Sequence, residues 1–218
     1  MSEIPIFPLS NVVLYPGVHC PLHIFEPRYR QMTLAALEGD RRIGMVTVRP
    51  DAVSEIGGDP PIFQVGCVGN IVEHQRLDDG RYNLLLQGTH RFAITEEPTR
   101  PRERLFRVAR IELLEEQAVD DAEHVASLRN FVLRDAAALI ERNDAERARR
   151  FAEQNFESIE DGVLASTLCT VFPFSPAEKQ QLLEASGVHQ RLELLSSLLE
   201  FHLAERPGGG SPPSSSVH

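Results

Sequence analysis

The densest grouping of reactive side chains in this 218-residue chain is His19-Cys20-Pro21-Leu22-His23, which offers one thiol and two imidazoles within five residues. Such side chains ligate transition metals, or pair as thiolate and imidazole in nucleophilic catalysis. The segment reads as a β-strand, however, and side chains along a strand point alternately to its two faces. His19 and His23 then share a face while Cys20 points away from both. The expected reading is a buried cysteine with two hydrogen-bonded or exposed histidines, and neither a metal nor a cofactor is expected. Cys67 and Cys169 complete an odd count at wide spacing, which fits neither a disulfide framework nor the close pairs of a zinc site.

Other chemistries find no motif. The single lysine, Lys179, stands at a helix start without glycines before it, so there is no P-loop. No Gly-x-Ser-x-Gly elbow occurs, and Gly208-Gly209-Gly210 leads into a tail rather than a helix, so it cradles no phosphate. A small hydrolase therefore has no nucleophile and base at usable spacing. Asp78-Asp79 precedes Gly80 and reads as a tight turn rather than a carboxylate pair. Glu96-Glu97 and Glu115-Glu116 read as solvated strand ends, and Tyr15 and Phe63 as core aromatics. His90 and Arg91 fall between two expected strands, where a turn could present them to a partner.

Composition sets the frame for these residues. The chain carries 42% hydrophobic residues, 32 acids against 22 lysines and arginines, and a net charge of -10. This is a globular composition with enough length for one large domain or two small ones. The acidic balance argues against a general nucleic-acid binder, which needs a cationic face to displace counterions. No apolar run approaches the length of a membrane span, and Met1-Ser2-Glu3-Ile4-Pro5 is not the start of a secretory signal, so the cytoplasm is the expected location.

The chain changes character near residue 117. Before it, alternation and turn signals predict strands at Val12–Leu14, His19–Phe25, Arg42–Val48, Gln64–Gln75, Arg81–Gln87, Arg91–Thr95 and Phe106–Leu114. Arg49–Pro61 reads as a surface loop, and Gly66 and Gly69 as bulges of a closed or nearly closed barrel. One helix interrupts this half, Pro27–Glu38, with Pro27 at its first position and Gly39 at its stop. After Val119 the period becomes helical. Val125, Leu128, Val132, Ala136 and Leu139 make one stripe, capped by Asp120 and Asp121. A second helix is expected over Ser158–Phe172, with Ser158-x-x-Asp161 as its capping box. A third starts at the box Ser175-Pro176-Ala177-Glu178 and stops at Gly187. Val188–Glu205 closes the set, with Leu192, Leu195 and Leu199 on one face and Leu194, Leu198 and Phe201 on another. The expected division is a strand-rich unit at 1–117, a helical bundle at 118–206 and a disordered Gly/Pro/Ser tail at 207–218.

At Pro21-Leu22-His23-Ile24-Phe25-Glu26-Pro27-Arg28-Tyr29-Arg30 the chain resembles the Lon substrate-binding domain family, the N-terminal region of Lon proteases and its stand-alone bacterial relatives. Phe7-Pro8-Leu9, Val12 to Gly17, Leu37-Glu38-Gly39-Asp40, Val65 to Gly69 and Asp79 to Gly88 match in the same order, and the likeness covers about residues 4 to 204. The resemblance implies an α+β fold, in which a PUA-like β-barrel subdomain precedes an α-helical bundle. It also implies a non-enzymatic module that recognises unfolded or exposed polypeptide segments, alone or with a protease. Residues 1–218 carry neither the nucleotide-driven motor nor the peptidase domain of full Lon, so proteolysis is not expected from the resemblance. An apolar groove between barrel and bundle, or a strand edge that accepts a peptide strand, would hold the ligand. Candidate peptide contacts are His23, Glu26, Arg28 and Arg91. Phe25 and Tyr29, four residues apart, would instead pin the helix to the barrel. The alternative function is an RNA-contacting PUA-like module; a homo-oligomer stays open.

Overall fold

Prolines and β-branched residues fill the first half of the chain with strands, and the second half is helical. The computed structural model describes residues 2–117 and 121–205, so the Asp120 cap and the tail expectation lie outside the described residues. In order, the elements are β1 (Ser2–Leu9), β2 (His19–Ile24), α1 (Pro27–Glu38), β3 (Arg42–Thr47), β4 (Val65–Arg76), β5 (Tyr82–Glu96) and β6 (Arg107–Leu113). Then come α2 (Ala122–Asn143), α3 (Ala145–Ala152), α4 (Asp161–Val171), α5 (Pro176–Glu184) and α6 (Val188–Ala204). The fold class is α+β, as expected.

The six strands are ordered β2-β5-β4-β3-β1-β6, and a further β5–β6 pairing closes the sheet into a barrel. Strand β5 makes the closure because it is long. Its first part, Tyr82–Gln87, pairs with β2, and Phe92–Glu96 pairs with β6 along the same edge. β1 meets β6 over Ser2–Ile6 and β3 over Ile6–Leu9, so Pro5 and Pro8 each have a ladder on one side only, where a missing N–H is tolerated. Register shifts in β4 fall at Cys67/Gly69 and Ile71/Glu73, the coiling that the glycines suggested. Gly66 has a steric reason as well. A Cβ there would stand 2.5 Å from the Met45 carbonyl oxygen and 2.6 Å from the Phe92 ring, which fills the barrel interior.

The barrel wall buries residues on both of its faces. Ile4, Ile6, Val46, Val48, Phe92 and Ile111 belong to the inner cluster, while Phe7, Ile43, Met45, Leu84 and Leu86 face a larger core. That larger core continues through Leu14 and Tyr15 into Leu164, Leu168, Leu182, Leu192, Leu195 and Leu199 of the helices. Each fully buried leucine is worth about 2 kcal/mol of transfer free energy. α2 and α6 run side by side in the same direction. Their first turns meet at His124 and His189, and at the other end Arg142 donates to the carbonyls of His202, Leu203 and Glu205.

Several expectations need correction. Val13 and Leu14 are buried and Val12 partly so, but 12–14 forms no strand; it follows a bend after β1. Arg49–Pro61 contains a short 3₁₀ segment at Pro50–Glu55. Arg91–Thr95 is no separate strand, because β5 runs without interruption through His90, and Gly88 and Thr89 are strand residues rather than a turn. α4 starts at Asp161, and the Ser158 hydroxyl turns back to the Asn155 carbonyl instead of capping it. α5 ends at Glu184, and Gly187 is the N-cap of α6 rather than the stop of α5. Phe201 is exposed, so the second face of α6 is only partly covered. The Ser175 capping box and the Asp121 cap are both formed.

Candidate functional site

The β2–α1 corner holds three of the four candidate contacts. Burial along β2 alternates, so His19 and His23 are exposed and Cys20 is turned inward, where burial pushes its thiol up from the ordinary range. His23 Nδ1 lies 2.8 Å from Asn83 Oδ1, and Arg81 approaches its Nε2 at 3.3 Å. Glu26 is the N-cap residue of α1, and its backbone carbonyl accepts from Tyr29 and Arg30. Its carboxylate accepts from Arg28 Nε at 3.0 Å. The same guanidinium donates to the carbonyls of Gly58 (2.8 Å) and Ile56 (2.6 Å) and lies over the Tyr29 ring. Arg28 thus ties the 49–61 loop to α1. Tyr29 is buried against Phe7, with ring centroids 4.3 Å apart, and pins the helix. Phe25 does not: it is 60% exposed, its ring stacked near His23.

Arg91 lies elsewhere, in the seam between barrel and helices, and the structure does not bring it to the corner. At 2% exposure it donates to Glu116 Oε1 (2.8 Å) and to the carbonyls of Leu183 (3.2 Å) and Ser186 (3.0 Å). Arg191, equally buried, donates to the Leu182 carbonyl and to the same Glu116 oxygen at 2.9 Å. Two cations therefore meet the last carbonyls of α5, where the helix dipole favours positive charge, and one carboxylate serves both. Glu116, read above as a solvated strand end, does keep 38% of its side chain exposed, and it is also the counter-ion of both arginines. Tyr15 donates to the Lys179 carbonyl (2.7 Å) and Gln180 to the Val65 carbonyl (3.0 Å), so α5 is fastened to the barrel at several points. Burial raises the Tyr15 hydroxyl strongly and pushes the thiols of Cys67 and Cys169 up to about 12, which leaves both as packed, unreactive groups.

Among the described residues, open grooves in the helical half are more apolar than the cleft between barrel and bundle. α3 lies beside two adjoining grooves of about 440 and 340 Å³ that share Ile140, Arg147, Val171 and Phe172. Leu139, Phe174 and His202 line the first, and Phe151, Phe156 and Ile159 the second. Arg142, Arg147 and Arg150 stand on their rims, and Val171 is half exposed. The barrel–bundle junction has a cleft of about 540 Å³ as well, but Arg91, Glu115 and Glu116 line it with Thr89 and His90. β2 pairs only with β5 and so offers a strand edge, six residues long with Pro21 inside it.

Sequence reasoning missed α3 and with it these grooves. The signal was present in Asp144 followed by Glu146: Asp144 Oδ1 accepts from the Arg147 backbone N–H at 3.0 Å, an N-cap in the middle of what reads as a polar stretch. The Glu116 pairing left no such trace, since its partners are distant in the chain.

A closed six-stranded barrel joined through a shared core to a helical bundle, with open grooves on the bundle, is the class of fold defined here. The chain belongs to the ATP-dependent protease La (LON) substrate-binding domain family, which it matches over residues 3–200. It is 30% identical over 202 residues to the Lon protease of Escherichia coli (strain K12), covering 92% of this chain and 25% of that protein. To the Lon protease of Anaeromyxobacter dehalogenans it is 31% identical over 199 residues, covering 91% and 23%. The chain therefore spans about a quarter of the length of the curated relatives it matches. Its fold is shared with solved structures of Lon N-terminal domains. The N-terminal domain of Mycobacterium avium complex Lon protease aligns at TM-score 0.67 and 19% identity, over 92% of this chain and all of that one. The Lon N-terminal domain protein of Xanthomonas campestris aligns at TM-score 0.62 and 23% identity, over 90% and 98%. No helix among the described residues is long and apolar enough to cross a membrane.

Proposed function

We propose that this chain is a non-enzymatic recognition module that holds unfolded or exposed polypeptide segments for a protease, with the helical half supplying the main contact surface. The observation that carries this reading is the pair of adjoining apolar grooves around Val171 and Phe172. Contiguous open apolar surface is costly in water and is kept where a ligand covers it. An extended peptide would place apolar side chains in the two grooves, and the rim arginines would meet its carbonyls or acidic side chains. Membership of a substrate-binding family supports a polypeptide ligand. In this reading the strand-rich part, 1–117, and the bundle, 118–206, act as two joined units. His23, Glu26 and Arg28, with exposed Phe25 beside them, form a secondary contact area. Arg91 would act on the bundle through its hold on α5.

The test is fluorescence anisotropy of the purified protein with labelled peptides from a reduced, unfolded protein, alongside matched single-stranded RNA and with salt varied. Saturable peptide binding that barely depends on salt is expected, and Val171→Glu, which sets a charge on the shared wall, should weaken it about tenfold. Binding of RNA alone, with the steep salt dependence of phosphate contacts, would overturn the proposal, as would peptide binding unaffected by Val171→Glu.

A further inference from the structure

Apart from the surfaces discussed so far, the paired first turns of α2 and α6 bring together His124, His189 and Glu193. One donor atom of each lies within 4.8 Å of the other two, the only such three-donor group among the described residues. His189 and Glu193 are one helical turn apart on α6, so both project toward α2, whose first turn contributes His124. His189 Nε2 is 3.5 Å and His124 Nε2 3.8 Å from the same oxygen, Glu193 Oε1. Donors held about 2.1 Å from a tetrahedral ion stand about 3.4 Å apart, so a small rotamer adjustment would close the set on a single ion.

A second observation points to a ligand. His189 Nε2 is shut off from solvent and makes no hydrogen bond; it faces Glu193 Oε1 at 3.5 Å, while the side chain as a whole stays 40% exposed. A nitrogen this loosely paired with a carboxylate leaves room for an ion or water between them. The rings of His124 and His189 pack edge to face at 4.9 Å, which holds them close to convergence without any ion. Two imidazoles and one carboxylate form a borderline donor set that suits Zn²⁺ and its neighbours Co²⁺ and Ni²⁺ rather than the oxygen-seeking Ca²⁺ or Mg²⁺.

We propose that His124, His189 and Glu193 form a binding site for a divalent transition-metal ion, zinc by preference, that clips the first turn of α2 to α6. Three protein ligands leave a fourth position for water or for a group from a partner. The site is independent of the peptide-binding reading, since none of its residues lines the grooves around Val171. Its ligands come from segments 65 residues apart, so no motif in the chain announces them.

The experiment is calorimetric titration of the chelator-stripped full chain with Zn²⁺, with Co²⁺ read in parallel by visible absorption. One equivalent should bind, and His189→Ala and Glu193→Gln should each weaken it at least tenfold. The cobalt spectrum should lack thiolate charge-transfer bands. Zinc at about a hundredfold over its Kd should raise the melting temperature by about 5 °C in the parent and not in the variants. Melting without metal checks that each variant folds, and the exposed position His124→Gln replaces His189→Ala if the latter does not. Absence of one-to-one binding, binding unchanged in these variants, or thiolate bands that assign the ion to Cys20 would each overturn the proposal.

Discussion

On its barrel side the helical half is held by charge and hydrogen bonds in a buried seam. Arg91 and Arg191 share Glu116, and α5 at Lys179, Leu182 and Leu183, with Ser186 just after it, gives up carbonyls to side chains from elsewhere in the fold. Around α3 and α4 the same bundle leaves Val171, Phe172, Phe151 and Phe156 along open grooves, with few polar partners. The contrast separates two uses of a helix. Buried polar groups fix one geometry, because any slippage strands a charge or a carbonyl away from water. Apolar surface fixes no geometry on its own and can accept many partners. The seam is built to position the bundle, and the grooves to use it.

The largest effect that would test this contrast is at the seam. Glu116→Ala leaves two arginines, each at most 2% exposed, without their counter-charge. Glu116 is itself 38% exposed, so solvent screens part of the pair, and a loss of about 2 kcal/mol is expected in urea unfolding, with peptide affinity of the folded protein unchanged; a loss below about 1 kcal/mol would break the comparison. The next is at the start of α5. Ser175→Ala removes the capping box and should cost about 1 kcal/mol. It also bears on pH. Burial of Glu178 works to raise its carboxyl, but hydrogen bonds from the Ser175 side chain, from the Ser175 backbone N–H and from His202 outweigh it and hold the group below its ordinary value; Ser175→Ala removes the first of these and keeps the second. A depressed carboxyl stabilises the fold above its unfolded pKa, and that stability is lost as pH falls through the folded value. The parent should therefore lose more stability than Ser175→Ala between about pH 5 and pH 3, read from melting temperatures; parallel acid curves would count against the pairing. The smallest is at Phe25, whose replacement by alanine should leave stability within about 0.5 kcal/mol. A drop in peptide affinity there would extend the contact surface to the β2–α1 corner; no change would confine it to the grooves.

How much could be read from the chain alone differs by element. α1 is found over its full span because Pro27 and Gly39 bracket it, signals that act within the element. The Ser175 box and the alternation of β2 are legible for the same reason. β5 reads as two strands, Arg81–Gln87 and Arg91–Thr95, because the alternation breaks at Gly88. In the fold Gly88 is instead where the Val12–Val18 segment crosses, so near that a Cβ would stand 2.0 Å from the Tyr15 carbonyl oxygen. Of the candidate contacts, His23, Glu26 and Arg28 were read from a motif that does lie together at one corner. Arg91 was placed by its supposed turn, and its burial against α5 depends on partners far along the chain.

Local order, then, was settled by the sequence: the alternation that makes strands, the caps that start helices, the proline and glycine that bound α1, and the linked motifs that carry the family likeness. Closure of the barrel through β5 and β6, the sharing of Glu116 by two arginines, the grooves beside α3 and the meeting of His124 with His189 were settled only by tertiary structure. The physical reason is range. Capping, alternation and turn geometry act over a few residues, whereas these features depend on the relative placement of segments tens of residues apart, which packing of the whole core decides.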